Sequence, residues 1–304
     1  MMVALPARVL AGAAFAILAT AAPAFAGSLS DMLNQRISEA QQAESNNLFE
    51  IALRDYAQAL QLSVDSPGAR RMLLKKRAAL YEQLNMLPLA EADLTALAKV
   101  EPLDPTVFAD RGYFYLRHGR YSEALDDFIA GSRVAPKNPA FFYGAARVLV
   151  AKRDDTNAVN FYNEAIESAP GDAKLYLARA EALLRLHKFA EALADYDRAV
   201  KLGLAAREDR FFAAVGRGYV NVMLGNFGLA VEAFNAALAI HPESPNVVLW
   251  RGFSYERQGA RDLALQDYEK AAATLPDLSE ARDGVVRLRS QRVSAITGAS
   301  RPQE

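Results

Sequence analysis

The chain has no cysteine, three histidines and one tryptophan in 304 residues. Without cysteine there can be no disulfide, no thiol nucleophile and no lipid attached through a cysteine sulfur. The histidines, His118, His187 and His241, fall in turns of separate segments, so they are not expected to meet at one metal or one substrate. A G-x-S-x-G nucleophile elbow and a phosphate-cradling glycine loop are both missing, as is any strand-like stretch to carry one. Carboxylates are plentiful but follow the exposed faces of helices, where a solvated surface explains them better than an acid/base pair. The expectation is a protein that is not an enzyme, with no catalytic residue, no metal and no cofactor.

Charge of one sign is also lacking. The formal net charge is −1, a balance that does not suit nucleic acid, whose binding rests on Lys and Arg neutralising phosphates. Beyond residue 26 no run approaches the roughly 20 apolar residues of a membrane helix, and no alternating ten-residue strands suggest a barrel. The one long apolar stretch opens the chain, "MMVALPARVLAGAAFAILATAAPAFAG", with a single positive charge at Arg8 and Ala24-Phe25-Ala26 as an A-x-A cleavage site. It reads as a signal peptide, residues 1–26, cut after Ala26. Cleavage removes Arg8 and moves the formal net charge from −1 to −2. A cysteine-free exported chain suits a bacterial periplasm.

What is present is repetition. In "FADRGYFYLRHGRYSEALDDFIAGSRVAP", Phe108 to Pro136, aromatic, small and aliphatic residues recur at spacings of three and four on either side of His118-Gly119. That pattern predicts two short helices with one packing stripe each. A lone hairpin of this size cannot bury its apolar faces, and copies recur at a period of 34 from Arg71, Pro105, Pro139 and Ala173. After the four-residue insertion Arg207 to Arg210 they resume at Phe211 and Pro245. A fainter copy starts at Leu33 and is followed by a second insertion of four, Pro67 to Arg70. Frame position 20 is Ala52, Ala90, Ala124, Ala158, Ala192, Ala230 and Ala264. Position 8 is Ala or Gly throughout, and position 24 is a ring in six copies of seven, with Leu94 the exception. Proline stands at position 32 in Pro102, Pro136, Pro170, Pro242 and Pro276.

These columns resemble the tetratricopeptide repeat (TPR) family, and the resemblance covers Leu33 to Leu278. It implies an all-α, right-handed superhelical solenoid of seven helix-turn-helix repeats, at 33–66, 71–104, 105–138, 139–172, 173–206, 211–244 and 245–278. A capping helix, 279–296, would shield the apolar face of the last repeat. The solenoid spans 27–296, and 297–304 reads as a disordered tail. Both insertions are expected between hairpins. Arg207 to Arg210 should lengthen the second helix of the fifth repeat or form a charged bulge.

Arginine holds position 7 in five copies, Arg77, Arg111, Arg179, Arg217 and Arg251, and aspartate holds position 23 in four of the same copies. The copy with Ala145 at position 7 has Phe161 at 23. Presence and absence track each other, which predicts a structural Arg to Asp pair between the two helices of a hairpin. Arg217, opposite Ala233, must reach a neighbouring repeat or the groove instead.

In the family, the first helix of each repeat lines a concave groove through positions 2, 5, 6, 9, 12 and 13. Carried over, these give a partner-binding groove of Tyr113, Tyr143, Arg147, Phe212, Tyr219, Trp250 and Phe253, with Arg185 as a second cation. The carboxylate clamp of chaperone-binding members is not present: Lys75 goes with Ala79, followed by Asp110 and then Ala140 with Gly144. The expected function is a scaffold or adaptor in the periplasm, binding a peptide segment or another envelope protein, with the oligomeric state left open. The alternative is a structural subunit of an envelope assembly, or of a machine exporting polysaccharide or outer-membrane proteins, that uses its convex face.

Overall fold

The computed structural model describes residues 28–298; the signal-peptide segment 1–26 and the last six residues of the expected tail lie outside them. Every regular element among the described residues is an α-helix. The chain divides into two compact units, 1–84 and 85–304. The first holds α1 (Leu29–Ser45), α2 (Phe49–Leu62) and α3 (Pro67–Gln83), with α1 and α2 forming a hairpin and α3 packed on α2.

The second unit opens with α4 (Leu87–Val100). Five hairpins follow: α5 (Pro105–Arg117) with α6 (Tyr121–Val134), α7 (Pro139–Ala151) with α8 (Asp155–Ser168), α9 (Ala173–Arg185) with α10 (Phe189–Leu202), α11 (Arg207–Met223) with α12 (Phe227–Ile240), and α13 (Pro245–Arg257) with α14 (Arg261–Thr274). α15 (Ser279–Gly298) packs on α14 as the capping helix. It continues to Gly298, so the first two residues of the expected tail are helical.

The repeated columns do the packing. The position-20 alanines are fully buried in all seven copies, and so are the rings Tyr56, Phe128 and Phe234. Phe128 shows how a ring joins two hairpins. It lies across Gly112 of its own hairpin, where an added Cβ would stand 3.1 Å from the ring, and against Gly144 of the next, where a Cβ would collide with it. Small residues at those two places let both helix backbones close on one aromatic wedge. Stability therefore accumulates from neighbour to neighbour along the unit.

The chain turns at frame position 15 of every copy through a left-handed residue. Gly119, Gly225 and Gly259 take that conformation without strain, as does asparagine at Asn47 and Asn85, but Arg153 (φ 63) and His187 (φ 58) adopt it as ordinary L residues.

The insertion Arg207 to Arg210 does not sit on the helix the sequence suggests. Arg207 to Arg210 extends the start of α11 instead of the end of α10, making it 17 residues long where α9 has 13. Gly203, at φ 88, ends α10, and Glu208 and Asp209 complement the positive N-terminal end of α11. Pro67 to Arg70 likewise forms the first turn of α3, with Pro67 at a position where its missing N–H costs nothing.

The predicted Arg to Asp pairs form in the second unit. Arg111 grips Asp127, Arg179 grips Asp195 and Arg251 grips Asp267, each through two N–H donors at 2.7–2.8 Å. A third partner carries no sequence signal: the remaining Nη1 donates to the preceding second helix, at Thr95 of α4, Asn163 of α8 and Asn235 of α12 respectively. Each arginine thus ties its own hairpin to the helix before it. The aspartates are buried, so the pairs hold register while their desolvation offsets much of the attraction.

Candidate functional site

Within the second unit the first helices approach one another at three of the four steps, α5 with α7, α9 with α11, and α11 with α13. Among the described residues the second helices show no comparable mutual packing. A stack closer-packed on one side bends toward it, so the first helices form the inner face of this unit.

On that face the structure gathers the nominated residues into two groups. In the first, Tyr113 of α5 meets the buried Phe128 edge-on at 4.9 Å, and Tyr143 of α7 lies 6.0 Å from Tyr162. Arg147, two turns inside α7 and open to solvent, places its guanidinium 5.9 Å from the Tyr113 ring centre and 5.8 Å from that of Tyr143. Burial pushes both phenols above their ordinary value, and the Arg147 charge opposes the shift in each. These rings are half-buried.

The second group is a chain of rings from α11 to α13. Tyr219 meets Trp250 at 5.2 Å, and Trp250 meets Phe253 at 5.7 Å, both edge-to-face. Phe253 continues to Phe227 at 6.4 Å, and Arg257 lies over both phenylalanines. Trp250 stands at frame position 6, where two other copies have the glycines that receive a ring, and it packs on the cluster around Phe234 without being buried itself. Phe212 belongs to neither group. It is 53% exposed and its ring contact is with Phe211, which in turn meets His241.

Between the groups lies Glu181 of α9. It is open to water along one edge of the residue, yet desolvation by the surrounding protein pushes its carboxyl above the ordinary value; Arg185 opposes the shift and Asp209 adds to it. Asp209 comes from the extra turn of α11, so the insertion adds a negative charge to this face. Arg185, nominated as a second groove cation, is occupied by Asp155, with Nε–Oδ1 at 2.9 Å and Nη2–Oδ1 at 2.7 Å. That ion pair leaves Arg147 as the open one of the two nominated cations. The sequence could not separate the two arginines, because Asp155 starts the next helix of the preceding hairpin and no short spacing links it to Arg185.

Comparison with known proteins gives the same architecture. A family profile described as tetratricopeptide repeat matches residues 75–130, 110–173, 177–245 and 216–279. Among curated proteins, human DnaJ homolog subfamily C member 7 is 29% identical over 153 residues, covering 50% of this chain and 27% of that protein. Mouse tetratricopeptide repeat protein 33 is 30% identical over 152 residues, covering 47% of this chain and 53% of that one. The chain thus spans about a quarter to a half of the length of these relatives. Among solved structures, the C-terminal part of a TPR repeat-containing protein from Cytophaga hutchinsonii superposes with a TM-score of 0.64 at 16% identity, covering 82% of this chain and 99% of that one. YrrB, a TPR protein with an unusual peptide-binding site, gives a TM-score of 0.56 at 21% identity over 62% of this chain and 96% of its own. At such identities the structures speak for the fold alone.

Proposed function

The chain belongs to the tetratricopeptide repeat family, and on that premise we propose that it is a non-enzymatic binding scaffold that takes a segment of a partner protein on the inner face of its first helices. One observation carries this reading: the ring chain Tyr219, Trp250 and Phe253 is only half-buried, while the rings that hold the hairpins together, such as Phe128 and Phe234, are fully buried. Half-buried aromatics on a rigid face supply contact area at small entropic cost, which is the usual make-up of a recognition hot spot. The peptide-binding site of YrrB, which shares the fold, supports the same use of the scaffold.

The same reading has the chain exported. The apolar opening with Arg8 and the Ala24-Phe25-Ala26 site supports delivery to a bacterial periplasm, where the partner is another envelope protein.

A photoreactive residue at Tyr143 or at Tyr219, introduced in intact cells, tests the reading. Capture of one and the same protein from both positions, lost on Tyr113→Ala or Phe253→Ala, is the expected result. Capture only from positions on the second helices, such as Leu263, would overturn it and favour a structural role for the outer face.

A further inference from the structure

Five of the ten arginines on the first helices of the second unit are committed to carboxylates. Arg111, Arg179 and Arg251 hold aspartates of their own hairpins, Arg217 holds Asp197, and Arg185 holds Asp155. Arg147 differs. Among the described residues no carboxylate lies within ion-pair distance of it, and its contacts are the rings of Tyr113 and Tyr143 on two successive first helices. It is exposed, it sits on the inner face, and its copy of the repeat is the one in which position 7 is Ala145, so Arg147 has no part in the register-holding pairs.

From this we propose that Arg147 is the seat for a carboxylate side chain of the partner: the bound segment carries an aspartate or glutamate that accepts two parallel N–H bonds from the guanidinium. The inference rests on the inner-face reading above. A guanidinium is planar, weakly hydrated and always charged, so holding it between two rings presents its fork in a limited set of orientations. A carboxylate matches that fork in charge and geometry. Glu181 on the next first helix supplies the discrimination. Its negative charge lies on the far side of Arg147 from Tyr113, so an acidic side chain is welcome at Arg147 and repelled one hairpin further on. The partner segment is therefore acidic at one place and apolar where it meets Trp250 and Phe253.

The test is a display selection of random 12-residue peptides on the folded chain, followed by affinity measurement of the enriched peptides. Peptides carrying an invariant Asp or Glu are expected, and Arg147→Gln should weaken them about tenfold or more, as should the matching Asp→Asn or Glu→Gln change in the peptide. The two changes together should cost little more than either alone. Arg147→Gln leaves the packing columns untouched, and circular dichroism with a thermal melt verifies that the variant is folded. Peptides that bind through Tyr219 and Phe253 but are indifferent to Arg147→Gln would overturn the carboxylate seat and leave the inner-face reading standing. Peptides indifferent to Tyr219→Ala and Phe253→Ala, or no enrichment at all, would count against both.

Discussion

Arg217 donates its Nε to Asp197, a residue of the preceding hairpin, at 2.7 Å. Its own hairpin has Ala233 where the others have aspartate, and Asp197 occupies the same frame position as Thr95, Asn163 and Asn235. The arginine keeps its link to the preceding hairpin and loses the one within its own. The two kinds of link differ in burial: side chains of Arg179 and Asp195 are 22% and 8% exposed, those of Arg217 and Asp197 34% and 52%.

That difference sets the cost of breaking each. Asp195→Ala leaves a half-buried guanidinium without its counter-ion and should destabilise the fold by about 2–4 kcal/mol. Asp197→Ala removes an exposed partner and should cost about 0–1 kcal/mol. Urea denaturation of the two variants beside the parent measures both.

The wedge between hairpins offers a second prediction. Gly144→Ala places a methyl where the Phe128 ring already is, and should destabilise by about 1–3 kcal/mol. Shrinking the ring with Phe128→Leu makes room for it. The double variant should therefore be more stable than the sum of the single losses implies, and a double-mutant cycle reads the coupling directly.

Arg153 holds a left-handed conformation that a side chain disfavours, and it is exposed. Arg153→Gly should stabilise by about 0.5–1 kcal/mol, whereas Gly119→Ala at the equivalent turn should destabilise by a similar amount. Thermal melts of the two variants should shift in opposite directions.

Glu181 predicts a pH dependence. Its carboxyl titrates higher in the folded chain than in the unfolded one, so the folded state holds the extra proton between the two values. Stability contributed by this group therefore falls as pH rises through that window and is restored below the unfolded value of about 4.3. Glu181→Gln removes the charged form, so it should raise the denaturation midpoint at pH 7 and leave it unchanged near pH 4.

The fold was legible because its packing residues repeat. Alanine at position 20 and a ring at position 24 serve the same geometric need in each hairpin, so the columns show through unrelated surface residues. Position 25 hid the second half of the arginine network, since threonine, asparagine and aspartate all serve as acceptors there and no single residue type marks it. The placement of Arg207 to Arg210 went wrong for a local reason. The repeat frame was carried across Gly203, although a glycine at the end of one helix followed by Glu208 and Asp209 is itself a stop and a start. At the candidate site, the rings and Arg147 follow from frame positions. That Arg185 is spent on Asp155 is a tertiary fact, written in the approach of two hairpins rather than in any spacing along the chain.

The most direct measurement compares two side chains on opposite helices of one hairpin, Trp250 of α13 and the exposed Leu263 of α14. With the captured partner, or a selected peptide, in an affinity titration, Trp250→Ala should weaken binding about tenfold or more while Leu263→Ala changes it by less than about twofold. A large loss from Leu263→Ala with Trp250→Ala near neutral would contradict the assignment of the inner face.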